Sequence, residues 1–154
     1  MSIFLIRHGE TLGNASRTVQ LPDNPLSPRG IAQAERLARR LEPAGIASIL
    51  SSDFSLAVTT AERLHPATGA PIRHDPLLQE RNFGDLRGTP YAELGVDMFA
   101  PDYAPPNGET WEVFHARVDR AWALVREAAA GAGGHLAVVT HGNMIRPAVE
   151  TRQD

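Results

Sequence analysis

Two short apolar runs in this chain each end in a His-Gly pair, one near each end of the sequence. Ile3-Phe4-Leu5-Ile6 runs into Arg7-His8-Gly9-Glu10-Thr11, and Leu136-Ala137-Val138-Val139-Thr140 runs into His141-Gly142-Asn143. Short apolar runs without helical alternation read as buried strands. Gly9 is expected to let the backbone turn as it leaves the first strand. A guanidinium beside an imidazole at a strand tip suits an anionic substrate attacked by nitrogen. Phosphate is the obvious candidate, because arginine binds its oxygens in bidentate fashion.

Between these runs the chain alternates strands with helices. Ser27 and Pro28 suit a helix cap and first helical position. Ile31, Ala34, Leu37, Ala38 and Leu41 then recur at helical spacing, and Pro43 and Gly45 end the helix. Ala47-Ser48-Ile49-Leu50-Ser51 reads as a second strand. Ser52 or Asp53 is expected to cap a second helix that runs to about Leu64. Pro71-Ile72-Arg73-His74 is a weak third strand. Residues 75–109 are rich in Gly, Pro and Asp, with one short helix expected near residues 91–94, and long irregular segments often carry function. Residues 110–130 form the longest helix, with Trp111, Phe114, Val118, Ala121, Trp122 and Val125 on one face.

This order predicts a three-layer α/β/α domain over residues 1–154 with a mostly parallel sheet. In such sheets ligands bind beyond the carboxyl ends of the strands, where both His-Gly pairs fall. The composition narrows the chemistry. All 15 Lys and Arg residues are arginine, so no lysine can serve as nucleophile, base or phosphate ligand. There is no cysteine, hence no thiolate chemistry and no disulfide. A net charge of −3 leaves no footprint for nucleic acid or an anionic membrane. The first apolar run, about five residues, is too short for a signal-peptide core or a membrane span, so a cytoplasmic location is expected.

Six ordered blocks resemble the histidine phosphatase superfamily, which includes the cofactor-dependent phosphoglycerate mutases. They are Arg7-His8-Gly9-Glu10-Thr11 with Asn14; Leu26-Ser27 with Gly30, Gln33 and Ala34; Ser51-Ser52 with Ala57, Thr60 and Ala61; Leu78, Glu80, Arg81, Gly84 and Gly88; Gly108-Glu109-Thr110; and Val139-Thr140-His141-Gly142 with Ile145 and Arg146. The resemblance implies a phosphoglycerate mutase-like fold and phosphomonoester hydrolysis through a phosphohistidine on His8. Arg7 and His141 would hold the phosphoryl oxygens, with Asn14, Gly142 and Asn143 as further phosphate ligands. Glu80 would protonate the leaving alkoxide and then activate water. Glu10 and Glu109 are competing carboxylates. The resemblance implies no metal, no cofactor and a small phosphorylated substrate.

Two departures qualify it. The family pattern Ser-Ser-x-x-x-Arg-Ala reads Ser51-Ser52-Asp53-Phe54-Ser55-Leu56-Ala57 here, so Leu56 stands where the family has a second phosphate-binding arginine. Losing one charged donor aimed at a transition state costs about 3–4 kcal/mol, or roughly a hundred- to a thousandfold in rate. Three alternatives stay open: Arg81 or Arg87 reaches in, the enzyme is weak, or the protein binds phosphate ligands or partners without turnover. A leucine in the pocket would also desolvate the phosphate without compensating its charge. The family also usually continues further past the second histidine. The fold is therefore expected to be truncated at its C-terminal end, where residues 143–150 form a short helix interrupted by Pro147. A missing edge strand would leave the sheet open to a homodimer or lower its stability. A mutase ranks below a phosphatase, because residues 85–109 leave little room for an insertion that closes over substrate.

Overall fold

The computed structural model describes residues 1–151, with side-chain surroundings given through Pro147. Its strands are β1 (Ile3–Arg7), β2 (Ile46–Ser51), β3 (Ile72–His74) and β4 (His135–Thr140), in the order β1-β4-β2-β3. Every pairing between these four strands is parallel. The last strand inserts between the first two, and its residues from Leu136 onward are fully buried. That position explains why β4 is apolar on both faces.

The helices are α1 (Leu12–Ala15), α2 (Pro28–Leu41), α3 (Ser55–Thr68), α4 (Trp111–Gly131) and α5 (Gly142–Thr151). On one face of the sheet, Ala38 and Leu41 of α2 and Ala57, Ala61 and Leu64 of α3 pack on Ile6, Ile49, Ala137 and Val139. On the other, Phe114, Val118, Ala121 and Val125 of α4 and Met144 of α5 pack on Leu50, Leu136 and Val138. Alternate residues of the strands thus feed two separate cores, giving the expected α/β/α layering.

The structure changes several local expectations. Ser52 and Asp53 do not cap α3: the cap position is Phe54, with no side-chain cap bond. Ser52 Oγ instead accepts the Phe54 N–H at 3.2 Å, closing the turn before the helix. The helix also continues past Leu64, through Pro66, to Thr68. Pro147 likewise lies inside α5 instead of stopping it. A proline lacks only its own bond to the carbonyl four residues back, so the remaining ladder carries the helix. Helix α1 had no periodic signal; a reciprocal pair of bonds between Thr11 and Asn14 builds it. Within residues 75–109 there are single turns at Pro76–Leu78, Gly84–Leu86 and Tyr91–Glu93, the last where a short helix was expected.

Gly9 has a different reason from the one expected. Its φ is not positive, so the turn itself does not require glycine. A Cβ there would lie 2.5 Å from the Gly30 carbonyl oxygen, and a Cβ on Gly30 would overlap the Glu10 carbonyl. The loop after β1 rests backbone to backbone on the start of α2. Ser27 Oγ accepts the Gly30 N–H and caps that helix, as expected.

Candidate active site

Parallel register places the site. Arg7 is opposite Thr140 and Ser51 is opposite Val139, so three strands end together. Arg7-His8, Ser52 and His141 therefore leave the sheet at one edge. Arg7, His8, Asn14, Glu80, His141, Gly142 and Asn143, the seven residues singled out from sequence, line one cavity of about 380 Å³. Of the three candidate carboxylates, Glu80 alone lines it. Glu10 accepts from Ser27 Oγ at 2.9 Å and braces its own loop. Glu109 accepts from Arg117 at 2.7 and 2.9 Å and from the Asn82 N–H at 2.8 Å.

The two histidine rings face each other with centroids 5.2 Å apart. Nδ1 of His8 lies 2.8 Å from the Gly9 carbonyl oxygen. A carbonyl can only accept, so Nδ1 carries the hydrogen and Nε2 keeps its lone pair. Burial lowers the His8 pKa to about 4; the Gly9 hydrogen bond opposes this and the Arg7 charge adds to it. The ring is therefore neutral at pH 7. Burial also holds His141 well below the usual imidazole range, aided by His8, Arg117 and Arg7. Nε2 of His141 lies 2.9 Å from Ser52 Oγ, and Phe54 packs against the ring with centroids 5.3 Å apart.

Glu80 is oriented from two sides. Its Oε1 accepts the Arg81 N–H at 2.8 Å and its Oε2 the Asn143 N–H at 3.3 Å. Burial raises its pKa, against those hydrogen bonds and the Arg7 charge. Asn14 Oδ1 accepts the Thr11 N–H at 3.2 Å, so its NH₂ is the end left for the cavity. Gly142 lies beside the Arg7 guanidinium, where a Cβ would meet the guanidinium carbon at 3.6 Å.

Arg117 had no sequence signal of its own, and Thr60 and Gln33 carried motif matches without a stated role. Arg117 of α4 donates to the carbonyls of Leu77, Gln79 and Glu80 at 3.0, 2.7 and 3.0 Å, clamping the segment that carries Glu80. Thr60 Oγ1 accepts the Gly9 N–H at 3.1 Å, and Gln33 Oε1 accepts the Glu10 N–H at 3.0 Å. Ser52 carried only a motif match; its bond to His141 depends on β2 and β4 being neighbours.

Leu56 does not occupy the cavity. Its side chain is fully buried and is not among the lining residues, which corrects the expectation of a leucine against the phosphate. Arg81 is not available as a substitute. Its guanidinium donates to the carbonyls of Glu109, Met98 and Tyr103 at 3.1, 3.2 and 2.8 Å and stacks 3.8 Å over Trp111. Arg63 also points elsewhere, to Glu35 at 3.1 Å.

The cavity thus joins a neutral imidazole with an unprotonated nitrogen, a guanidinium, an amide donor and a carboxyl held toward its protonated form. These are groups of the kind that phosphoryl transfer uses, gathered on an α/β fold. The model of the histidine phosphatase superfamily (branch 1) matches residues 3–152, and the chain belongs to that superfamily. A probable phosphoglycerate mutase of Yersinia pestis is 41% identical over 103 residues, 66% of this chain and 46% of that protein. The match thus takes in less than half the length of that relative. The crystal structure of a putative alpha-ribazole-5'-P phosphatase from Escherichia coli superposes with a TM-score of 0.84 at 29% identity, over 94% of this chain and 75% of that one. A mycobacterial glucosyl-3-phosphoglycerate phosphatase superposes at 0.77 with 31% identity, over 92% and 74%. The fold is that of phosphoglycerate mutase-like proteins. Among the described residues no helix is long and apolar enough to cross a membrane.

Proposed function

We propose that this protein hydrolyses small phosphomonoesters through a phosphohistidine on His8. The observation that carries the reading is the His8 tautomer: Nδ1–H held by the Gly9 carbonyl leaves Nε2 unprotonated, beside Arg7 and 5.2 Å ring to ring from His141. Nε2 attacks phosphorus, the bond from phosphorus to the ester oxygen breaks, and Glu80 gives its proton to the departing alkoxide. The ring gains positive charge, opposed by the Gly9 carbonyl and the phosphoryl oxygens. Glu80, now a carboxylate, takes a proton from water. The water oxygen bonds to phosphorus as the bond to Nε2 breaks, which frees phosphate and returns His8 to neutrality. Arg7, Asn14, His141, Gly142 and Asn143 position the phosphoryl oxygens. None of these steps calls for a metal.

A phosphoglycerate mutase would share the first half of this sequence and return the phosphoryl group to a sugar acid instead of water. Phosphatase structures align over 94% and 92% of this chain and a phosphoglycerate mutase over 97%. The phosphatase reading therefore rests on the short segment 85–109, which leaves little room for a mutase's closing insertion. The Leu56 position leaves Arg7 without the family's second arginine, so turnover is expected to be modest. A phosphate-binding protein without turnover is the alternative that the same position motivates.

The test is hydrolysis of a chromogenic phosphomonoester beside a His8→Ala control. We expect turnover that the control lacks, and an intact-protein mass gain of one phosphoryl group when the reaction is quenched. Turnover equal to the control overturns the phosphatase reading.

A further inference from the structure

A phosphomonoester near neutral pH brings two negative charges into this cavity. The groups that meet it carry little positive charge. His8 and His141 are neutral, Glu80 is held toward its uncharged form, and Asn14 is an amide. Arg7 is one cation. The charge of Arg81 is tied to three carbonyls and shares the field of Glu109 with Arg117. A dianion moved from water into a partly enclosed site requires more compensation than one guanidinium supplies.

Arg87 has the properties of the missing cation. It follows the Gly84–Leu86 turn and lines the same cavity as Arg7, His8 and His141. Its guanidinium carbon lies 5.8 Å from the centre of the Phe54 ring, and that ring packs against His141. It is half-buried, and burial pushes its pKa down, the sign of a charge partly stripped of water. Yet no described residue makes a hydrogen bond or ion pair with its guanidinium. The nearby Glu109 is already held by two bonds from Arg117. Arg146 lines the cavity too.

We propose that Arg87 binds the transferred phosphoryl group of the substrate and supplies the second positive charge that position 56 does not. This deepens the phosphatase reading and rests on it for the group transferred. The anion-binding claim is tested separately, with inorganic phosphate, by calorimetry on the full chain. Arg87→Gln is expected to raise the phosphate Kd at least tenfold, Arg87→Lys by less, and Arg63→Gln, at a guanidinium held by Glu35 and outside the cavity lining, to leave it within twofold. Kinetics with a neutral and an anionic leaving group identify which group is held: Arg87→Gln lowers kcat/KM at least tenfold for both. A loss confined to the anionic leaving group places Arg87 on the leaving group and overturns the proposal. So does an unchanged phosphate Kd, or an equal loss in Arg63→Gln. Should Arg87→Gln not fold, phenylglyoxal labelling of the unsubstituted protein gives the answer. Phosphate protects Arg87 from modification if the proposal holds, and leaves it reactive otherwise. Turnover equal to His8→Ala with phosphate binding retained removes the phosphatase reading and not the role of Arg87 as an anion ligand.

Discussion

Nδ1 of His8 and the carbonyl oxygen of Gly9, one residue along, are 2.8 Å apart. This contact within the Arg7-His8-Gly9 turn decides which ring nitrogen keeps its lone pair. It requires the Nδ1–H tautomer, and burial keeps the ring neutral. Nitrogen-detected NMR of the His8 side chain should show that tautomer at pH 7 and a titration midpoint at about 4. An Nε2–H tautomer, or a midpoint at the unperturbed value, contradicts the assignment.

Glu80→Gln keeps the shape of the carboxyl and one acceptor for its two backbone N–H partners, and it cannot supply a proton. General-acid assistance contributes about a hundred- to ten-thousandfold. Glu80→Gln should lose rate in that range with an alkyl phosphate and much less with a nitrophenyl phosphate, whose leaving group departs unaided. Equal losses on the two substrates in steady-state kinetics would remove Glu80 from the acid role.

Arg117 and Glu109 form a largely buried pair at 2.7 Å, and Arg117 also holds three carbonyls leading to Glu80. Removing one member of such a pair strands the other charge, at a cost of about 3–5 kcal/mol. Arg117→Met should fall in that range by urea denaturation. Adding Glu109→Gln should recover part of the loss, because the stranded carboxylate is then gone. Strict additivity of the two changes would show that they do not act as a pair.

Stability should fall with acid, for a reason specific to the site. The folded pKa of His8 lies below its unfolded value of 6.5. The unfolded chain therefore binds the extra proton first. This stabilisation is fully present above about 6.5 and is lost as pH falls toward 4, by roughly 3 kcal/mol. His141 has the same sign. Glu80 has the opposite sign: its raised pKa makes the folded state lose stability as pH rises from 4.5 through its folded value. In melts across pH 4–7, His8→Asn should flatten the acid loss and Glu80→Gln should steepen it. The same slope in all three proteins would show that these groups do not set it.

Much of the design is local and was legible in the residues. The apolar runs ending at Arg7 and Thr140, the Ser27-Pro28 cap and the helical stripe of α4 depend on neighbours along the chain, where periodicity and capping chemistry operate. The seven cavity residues singled out from sequence were legible for the same reason, because each sits at a strand tip or in a short motif. Reach between distant segments was not legible. Only the insertion of β4 between β1 and β2 brings Ser52 to His141, and only the packing of α4 under the sheet lets Arg117 hold the Glu80 segment. Backbone contact likewise explains Gly9, which lies against Gly30 and not in a positive-φ turn.

The sequence by itself determined the fold class, the strand tips and the kinds of group at the site, because these follow from the order and spacing of residues. Tertiary structure decided what each group is free to do. It tied Arg81 to three carbonyls, buried Leu56 away from the cavity and left Arg87 facing it. All three differ by where the chain folds back on them, since hydrogen bonding and desolvation are set by neighbours in space.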